Sequence, residues 1–394
     1  MKIFEKIGRL DIMECMKKTK VLVAMSGGVD SSVAAALLVK AGFDVTGAYM
    51  VNYSDATDDL GGSCWRGDYQ DALRVAAKLG IPLVRLNFVK EYKKMVLDYM
   101  YREYRAGRTP NPDVLCNKYV KFGVWLDKAK ELGFDYLATG HYARLRREVK
   151  SQKSKVKSLR LISAKDENKD QTYFLHQLSQ AQLKHVLFPI GKYTKLRVRA
   201  LAKEFKLPTA DKEESMGICF IGEVPMKKFL MKKIERKKGK ILLSPSAREG
   251  EGGRGNDEVA GEHDGLAFYT IGERIGVKVK TMESLRDDFS KPFYVVGKNI
   301  KMNELVVGHE NDPLLSKREI TVKDVNWIAG RAPKFPLKCE VRLRHRQLLQ
   351  SCHCEAKGRS NLIVKFHKPQ RAVTPGQFAV LYLRGECLGG GEIE

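Results

Sequence analysis

Along the first half of the chain, short apolar runs alternate with longer stretches whose apolar positions recur at helical spacing. Val21–Met25, Val45–Tyr49, Leu83–Leu86 and Tyr136–Thr139 have strand length, and Val33–Ala41, Asp68–Leu79, Tyr92–Arg105 and Lys118–Leu132 follow the period of a helix. Such alternation predicts an α/β fold: a doubly wound parallel sheet with helices on both faces and ligands at the carboxyl ends of its strands. The periodicity lapses between Arg144 and Arg160, where eight Lys/Arg stand against one Glu, and a solvated loop is expected. From Glu223 the pattern changes to a basic helix (Met226 to Lys240) and a Gly/Glu-rich stretch (Glu249 to Gly265). Beyond Phe293, short alternating segments dominate: Phe293–Val296, Leu305–Val307, Ile320–Val325, Cys339–Arg344, Leu362–Phe366 and Ala379–Leu383. Turns at Pro375-Gly376 and Arg384-Gly385 separate the later ones, and a small β-barrel is their natural closure. The expected organisation is an N-terminal tail (1–19), a catalytic α/β domain (20–222), a small central domain (223–290) and a C-terminal β-barrel (291–394).

Composition adds a partner. In 394 residues, 71 Lys+Arg against 47 Asp+Glu leave a formal charge of +24, which suits a long polyanion bound through phosphate contacts. No run of 18 apolar residues exists, and the first twenty residues show no leader pattern, so a cytoplasmic protein without membrane contact is expected. Eight cysteines have no disulfide-framework spacing, which fits a reducing compartment and makes a cysteine inside a motif more chemical than structural.

The chemistry starts where the first strand ends. Ser26-Gly-Gly-Val-Asp-Ser-Ser32 follows Val21–Met25 directly and opens a helix. Gly27 and Gly28 permit a tight turn, and free N–H groups with the Ser26, Ser31 and Ser32 hydroxyls can face an anion. The spacing and lysine of a Walker A loop are absent. The run is instead similar to the signature loop of PP-loop ATP pyrophosphatases, which hold pyrophosphate and adenylate an oxygen of a second substrate.

Further along, Gly107-Arg-Thr-Pro-Asn-Pro-Asp-Val-Leu-Cys-Asn-Lys118 reads as a capped helix start, with Asn111 as N-cap and Pro112 at the first helical position. Asp113 and Cys116 then fall three apart near one face. A cysteine so close to a helix N-terminus is expected to tend toward thiolate, while Asp113 can take or position a proton. Cys219, in Glu214-Ser-Met-Gly-Ile-Cys-Phe-Ile-Gly-Glu223, would form a thiol pair with Cys116 able to pass sulfur by persulfide formation and disulfide release. Cys352-His-Cys354 lacks the spacing of a zinc knuckle and is explained by period-2 alternation on a strand, so no metal site is expected. Cys64, in Gly61-Gly-Ser-Cys-Trp, lies in a segment near the nucleotide end of the sheet.

Together AMSGGVDSS, GRTPNPDVLCNKYVKF, ATGHYAR, KDQTYFL, GICFIGE, HDGLAFYTIGERIG, PFYVV, TPGQFAVLY and CLGGGEIE run in order from Val21 to Glu394. In these motifs the chain resembles the tRNA-specific 2-thiouridylases, which thiolate the wobble uridine of certain tRNAs. The resemblance implies that Ala24, Met25, Ser26, Gly27, Gly28, Val29, Asp30 and Ser31 bind ATP, with Met50 and Gly140 closing the adenosine site. It implies that Asn111, Pro112 and Asp113 face the target base and that Lys169, Asp170 and Gln171 contact tRNA. Arg344 and His345 match a tRNA-contacting pair that is commonly Arg-Tyr; the histidine is a departure.

The implied reaction uses ATP and Mg²⁺ to adenylate O2 of uridine. A sulfur-donor protein supplies persulfide to Cys219, Cys116 resolves it, and Asp113 serves as proton acceptor; the expected substrates are tRNAs of the Lys, Glu and Gln type. An iron–sulfur cluster on Asp113, Cys116 and Cys219 is the alternative sulfur carrier. A PP-loop ligase or amidotransferase acting on a small molecule, and an RNA-binding scaffold without turnover, are the competing readings. The thiol pair, the basic charge and the absence of a glutaminase segment weigh against the first. The presence of Asp30, Asp113 and both cysteines weighs against the second.

Overall fold

Val21, Leu22 and Val23 have no exposed surface, because β1 (Lys20–Ala24) is the middle strand of a parallel sheet covered on both faces. The structure, a computed structural model, describes residues 19–53, 64–148, 158–213, 225–247, 259–276, 291–358 and 360–394. After β1 come β2 (Asp44–Val51), β3 (Leu83–Asn87) and β4 (Tyr136–Ala138), then a hairpin of β5 (Ala143–Glu148) and β6 (Ser158–Ser163), then β7 (Val186–Leu187). The sheet has the order β3-β2-β1-β4-β7 and is parallel throughout. Strand order therefore reverses between β1 and β4, and the crevice beyond their carboxyl ends is the place such a fold binds ligands.

Alternate residues of β1 serve two cores. Val21 and Val23 pack with α1 (Val29–Lys40), while Leu22 packs with the helical runs 89–105 and 112–131. The second of those runs begins at Pro112 rather than at the expected Lys118. It continues through wide π-type turns over Cys116–Val124, where Gly123 leaves helical geometry (φ −99°, ψ −107°).

The expected basic loop at 144–160 is in fact built on a hairpin. The arms β5 and β6 pair from Ala143↔Ser163 to Glu148↔Ser158, and the tip lies outside the described residues. Its strands were hidden because arginines on the exposed face dilute the apolar alternation.

The described part of the central domain forms a sheet of β8 (Gly239–Leu243), β9 (Val259–His263), β10 (Arg274–Ile275), β11 (Phe293–Asn299) and β12 (Glu304–Gly308), in the order β10-β11-β12-β8-β9. β11 and β12, expected in the barrel, thus belong to the central sheet. β12 reaches it by parallel pairing with β8, a non-local step that strand patterns do not encode. The basic helix is confined to Met226–Met231, since lysines crowd the next turn and Ile234 turns inward.

β13 (Ser316–Trp327), β14 (Leu337–Arg342), β15 (Gln350–Lys357), β16 (Asn361–Arg371), β17 (Phe378–Leu383) and β18 (Glu386–Ile393) close into the C-terminal barrel by β13–β18 pairing. β18 is glycine-rich for a steric reason. A Cβ on Gly391 would lie 2.1 Å from Lys323 O, and one on Gly389 would meet Asn326 O. β6 of the first domain adds to the outer side of β18 through Cys387↔Leu161, so catalytic domain and barrel share a sheet.

Candidate active site

Gly27 adopts φ +75°, and a Cβ there would stand 2.2 Å from Asp68 O of α2 (Cys64–Leu79). Both conformation and space demand glycine. Gly28 is the extended N-cap of α1, leaving the first-turn N–H groups directed into the crevice. Ser26 is exposed, as a phosphate ligand must be. Ser31 is buried, with its Oγ accepting from Ser26 N (3.2 Å) and donating to Gly28 O (3.1 Å). Ser32 departs from expectation. Its buried hydroxyl donates to Gly28 O (2.8 Å) and accepts from Thr209 (3.0 Å), so it braces the helix start rather than facing an anion.

Asp30 accepts from Tyr142 Oη (2.8 Å) and from Lys195 Nζ at both carboxylate oxygens (2.7 and 2.9 Å). Lys195 opens the helix Lys195–Glu204, so a cation is delivered to the loop from late in the domain. Gly140 presses on α1 from β4: a Cβ there would be 2.7 Å from Ser31 N. Met50 has its side chain in the sheet core, so at the carboxyl end of β2 only its backbone is available to an adenosine.

The segment 107–118 is held by all three domains. Lys298 of β11 donates from Nζ to Gly107 O (2.9 Å), and Thr270 of the central domain meets the Thr109 hydroxyl at 3.2 Å. From the barrel, Pro375 O accepts from Thr109 N (2.9 Å). Gln377 donates to Thr109 O (2.8 Å) and Pro110 O (3.2 Å), and its Oε1 accepts from Asn111 Nδ2 (3.4 Å). Within the segment, Arg108 pairs with buried Glu103, and Asn111 Oδ1 caps the helix through Val114 N (3.3 Å). A cavity of about 350 Å³, lined by Thr109, Thr270, Glu273, Arg344, Thr374 and Gln377, opens at this three-way junction.

Pro112 is buried and Asp113 half-buried. Cys116 has no exposed surface, and burial pushes its thiol up to about 12; Asp113 raises it further and Lys121 opposes. The expected thiolate is thus corrected. Removal from water outweighs the helix dipole, because the residue sits where the α turn passes into the buried π turns.

The residues expected at tRNA divide. Lys169 and Gln171 are half-buried, and Gln171 Oε1 accepts from Tyr142 N (2.9 Å). The Asp170 side chain faces inward: it is 0% exposed and accepts from Arg342 Nη1 (2.7 Å), Thr172 Oγ1 (2.8 Å) and Ala164 N (2.9 Å). It is a buried anion satisfied on all sides, tying the catalytic domain to the barrel. Arg344 lines the junction cavity and donates to Ala372 O (2.6 Å) and Thr374 Oγ1 (3.1 Å). His345 packs on Phe174 with ring centroids 4.5 Å apart, and burial first, then Arg346, lowers its pKa to about 4, so it is neutral. Cys219 and its whole motif lie outside the described residues.

Lys195, Lys298 and Gln377 are the contributors that sequence reasoning missed. Gln377 alone carried a signal, standing in TPGQFAVLY without an assigned role.

A family model described as a tRNA methyl transferase HUP domain matches residues 19–223, one described as a tRNA methyl transferase PRC-barrel domain matches 227–309, and one described as an aminomethyltransferase beta-barrel domain matches 317–393. The chain is 45% identical over 381 residues to the tRNA-specific 2-thiouridylase MnmA of Geobacillus thermodenitrificans, covering 96% of this chain and 95% of that one. It is 43% identical over 381 residues to the protein of the same name from Francisella tularensis subsp. holarctica, covering 96% and 100%. Among solved structures, a 4-thiouridine synthetase–RNA complex with bound ATP aligns over 54% of this chain and 50% of that one, at 18% identity and a TM-score of 0.33, too distant to bear on the argument. Among the described residues, no helix is long and apolar enough to cross a membrane.

Proposed function

The chain belongs to the tRNA-specific 2-thiouridylase family, and from that premise we propose that it replaces O2 of the wobble uridine of tRNA with sulfur at the expense of ATP. The observation that supports the reading is that one domain carries both an anion-binding loop, Gly27–Ser31 at the start of α1, and the cysteine-bearing segment 107–118, whose first residues both other domains clasp.

ATP would lie with its phosphates on Ser26, Gly27, Gly28 and the first N–H groups of α1, with Gly140 as the floor beside them. Asp30, whose carboxylate Lys195 orients, offers the oxygen donors that would hold a Mg²⁺ ion, and such an ion would offset phosphate charge. Uridine O2 attacks the α-phosphorus and pyrophosphate leaves. The base must be out of its stack to do so, which suits the single-stranded anticodon loop. Asn111 and Asp113 would border it, with Arg344 and Lys169 on surrounding tRNA.

Sulfur then arrives as a Cys219 persulfide supplied by a donor protein. Its terminal sulfur attacks C2. Cys116 attacks the Cys219 Sγ, the persulfide S–S bond breaks, and AMP departs with the former O2. The two thiols end as a Cys116–Cys219 disulfide, which a cellular thiol reduces. Because burial keeps Cys116 a neutral thiol, its proton must go to a base at the moment of attack, and Asp113 is the nearest candidate in the turn. The competing carrier, a cluster on Asp113, Cys116 and Cys219, would need Cys116 as a standing thiolate.

The test is nucleoside mass spectrometry of unmodified tRNA of the Lys, Glu or Gln type, incubated with protein, ATP, Mg²⁺ and a persulfide source. We expect 2-thiouridine with wild type and none with Cys116→Ser or Cys219→Ser. No thiolated nucleoside under any donor would sink the tRNA reading. Thiolation that survives Cys219→Ser with free sulfide, yet fails on iron removal, would replace the persulfide route by the cluster.

A further inference from the structure

Three cysteines with no part in that chemistry meet inside the C-terminal barrel. Cys339 on β14 stands directly opposite Cys352 on β15, and Cys354, two residues on, returns to the same inner face. Cys339 Sγ lies 3.6 Å from Cys352 Sγ and 3.6 Å from Cys354 Sγ, and all three sulfurs fall within 4.8 Å of one another. All are buried, among Val341, Leu362, Val364 and Leu381. His353, between two of them in sequence, is half-buried and engages Glu355 through Nε2 at 3.1 Å.

Around a metal ion with sulfur bonds of about 2.3 Å, thiolates stand roughly 3.8 to 4.0 Å apart, so the two 3.6 Å separations from Cys339 need open by only a few tenths of an ångström to hold one. The donor set is purely sulfur among the described residues, which selects soft cations and rejects Mg²⁺ or Ca²⁺.

We propose that Cys339, Cys352 and Cys354 form a three-thiolate site for one thiophilic closed-shell cation, Zn²⁺ or Cu⁺, that staples β14 to β15. Each ligating thiol gives its proton to solvent on binding. Three thiolates with Zn²⁺ leave one net negative charge in the core and with Cu⁺ leave two, so burial favours Zn²⁺. The site is separate from the thiols of the sulfur-transfer reaction and would act on the barrel's stability.

The test uses the full chain carrying Cys116→Ser and Cys219→Ser, so that the motif thiols contribute nothing, purified anaerobically and titrated with Zn²⁺ and separately with Cu⁺ against a chromophoric chelator. One tight equivalent of either ion is expected, with a sulfur-to-metal charge-transfer band when Co²⁺ replaces it. Cys352→Val and Cys354→Val should each weaken binding by roughly a hundredfold or more. No equivalent retained against the chelator, or unchanged affinity in both valine variants, overturns the site, as does a Cys339–Cys352 disulfide in the anaerobic protein. Should the valine variants fail to fold, alkylation mapped by mass spectrometry decides. Metal must protect Cys339, Cys352 and Cys354 during partial unfolding, and equal labelling with and without metal ends the proposal.

Discussion

The nucleotide loop and the 107–118 segment belong to one domain but are held in opposite ways. The loop's own hydrogen bonds span five residues or fewer, from Ser26 to Ser31 and from Gly28 to Ser32, and its long-range supports, Lys195, Thr209 and Gly140, all come from the same domain. The second segment takes its supports from Thr270, Lys298, Pro375 and Gln377, in two other domains. The nucleotide site can therefore be complete before the domains dock. The segment leading into the turn of Asn111, Asp113 and Cys116 gains supports that exist only when they have docked. Binding ATP and transferring sulfur should then be separable by mutation.

Gly27→Ala should have the largest effect. A Cβ 2.2 Å from Asp68 O at φ +75° forces the loop away from α2, and a displacement near 1 Å at a positioned phosphate is worth on the order of a hundredfold. ATP affinity by nucleotide titration should fall by that factor, taking thiolation with it; near-normal affinity would show that the loop does not cradle phosphate. Lys195→Met comes next. It strips Asp30 of two charge-assisted hydrogen bonds while leaving the hydroxyl of Tyr142, and a loss of about 1.5–3 kcal/mol corresponds to roughly ten- to a hundredfold in ATP affinity. Loss of thiolation with ATP affinity unchanged would place Lys195 elsewhere in the reaction.

What was legible in the sequence follows the same division. The strands of the parallel sheet, the glycines of the loop and the Asn111-Pro112 cap are local events, in which a side chain answers to backbone a few residues away. Most of what the sequence did not disclose depends on distant partners. The thiol of Cys116 was expected to ionise from its place near a helix start, and tertiary burial reverses that. Asp170 was expected at tRNA through its motif, and its buried pairing with Arg342, 172 residues on, has no local signal. Cys352 and Cys354 were explained by alternation alone, because the third sulfur lies on the facing strand. β18 was obscured by glycines that exist for the backbone of β13 pressing on them.

Gln377→Ala should sharpen the contrast from the other side. It removes two bonds donated to Thr109 O and Pro110 O and the one accepted from Asn111, while touching nothing in the nucleotide loop. With about 1 kcal/mol for each bond and partial relaxation, thiolation should slow by about tenfold, with ATP affinity within about twofold of wild type. An equal loss in both would mean that the two halves of the site are not independent.

The smallest effect concerns Lys298, whose half-buried ammonium is lowered from 10.5 to about 8 by desolvation, with Glu273 partly offsetting. The unfolded chain holds this proton up to about pH 10.4. Between about pH 8 and that value it binds more protons than the folded chain, so this group makes unfolding harder as pH rises. The cost of its half-buried charge is carried in full below pH 8 and relieved above it. From pH 7.5 to 9 the relief amounts to about 1 kcal/mol. Denaturant unfolding at both pH values should show wild type gaining that much relative to Lys298→Met. Because the neutral amine can still donate to Gly107 O, thiolation across the same window should follow the protonation of other groups, not that of Lys298. A parallel slope in the two proteins would mean that the ammonium is solvated and that the central domain grips Gly107 more loosely than the 2.9 Å bond implies.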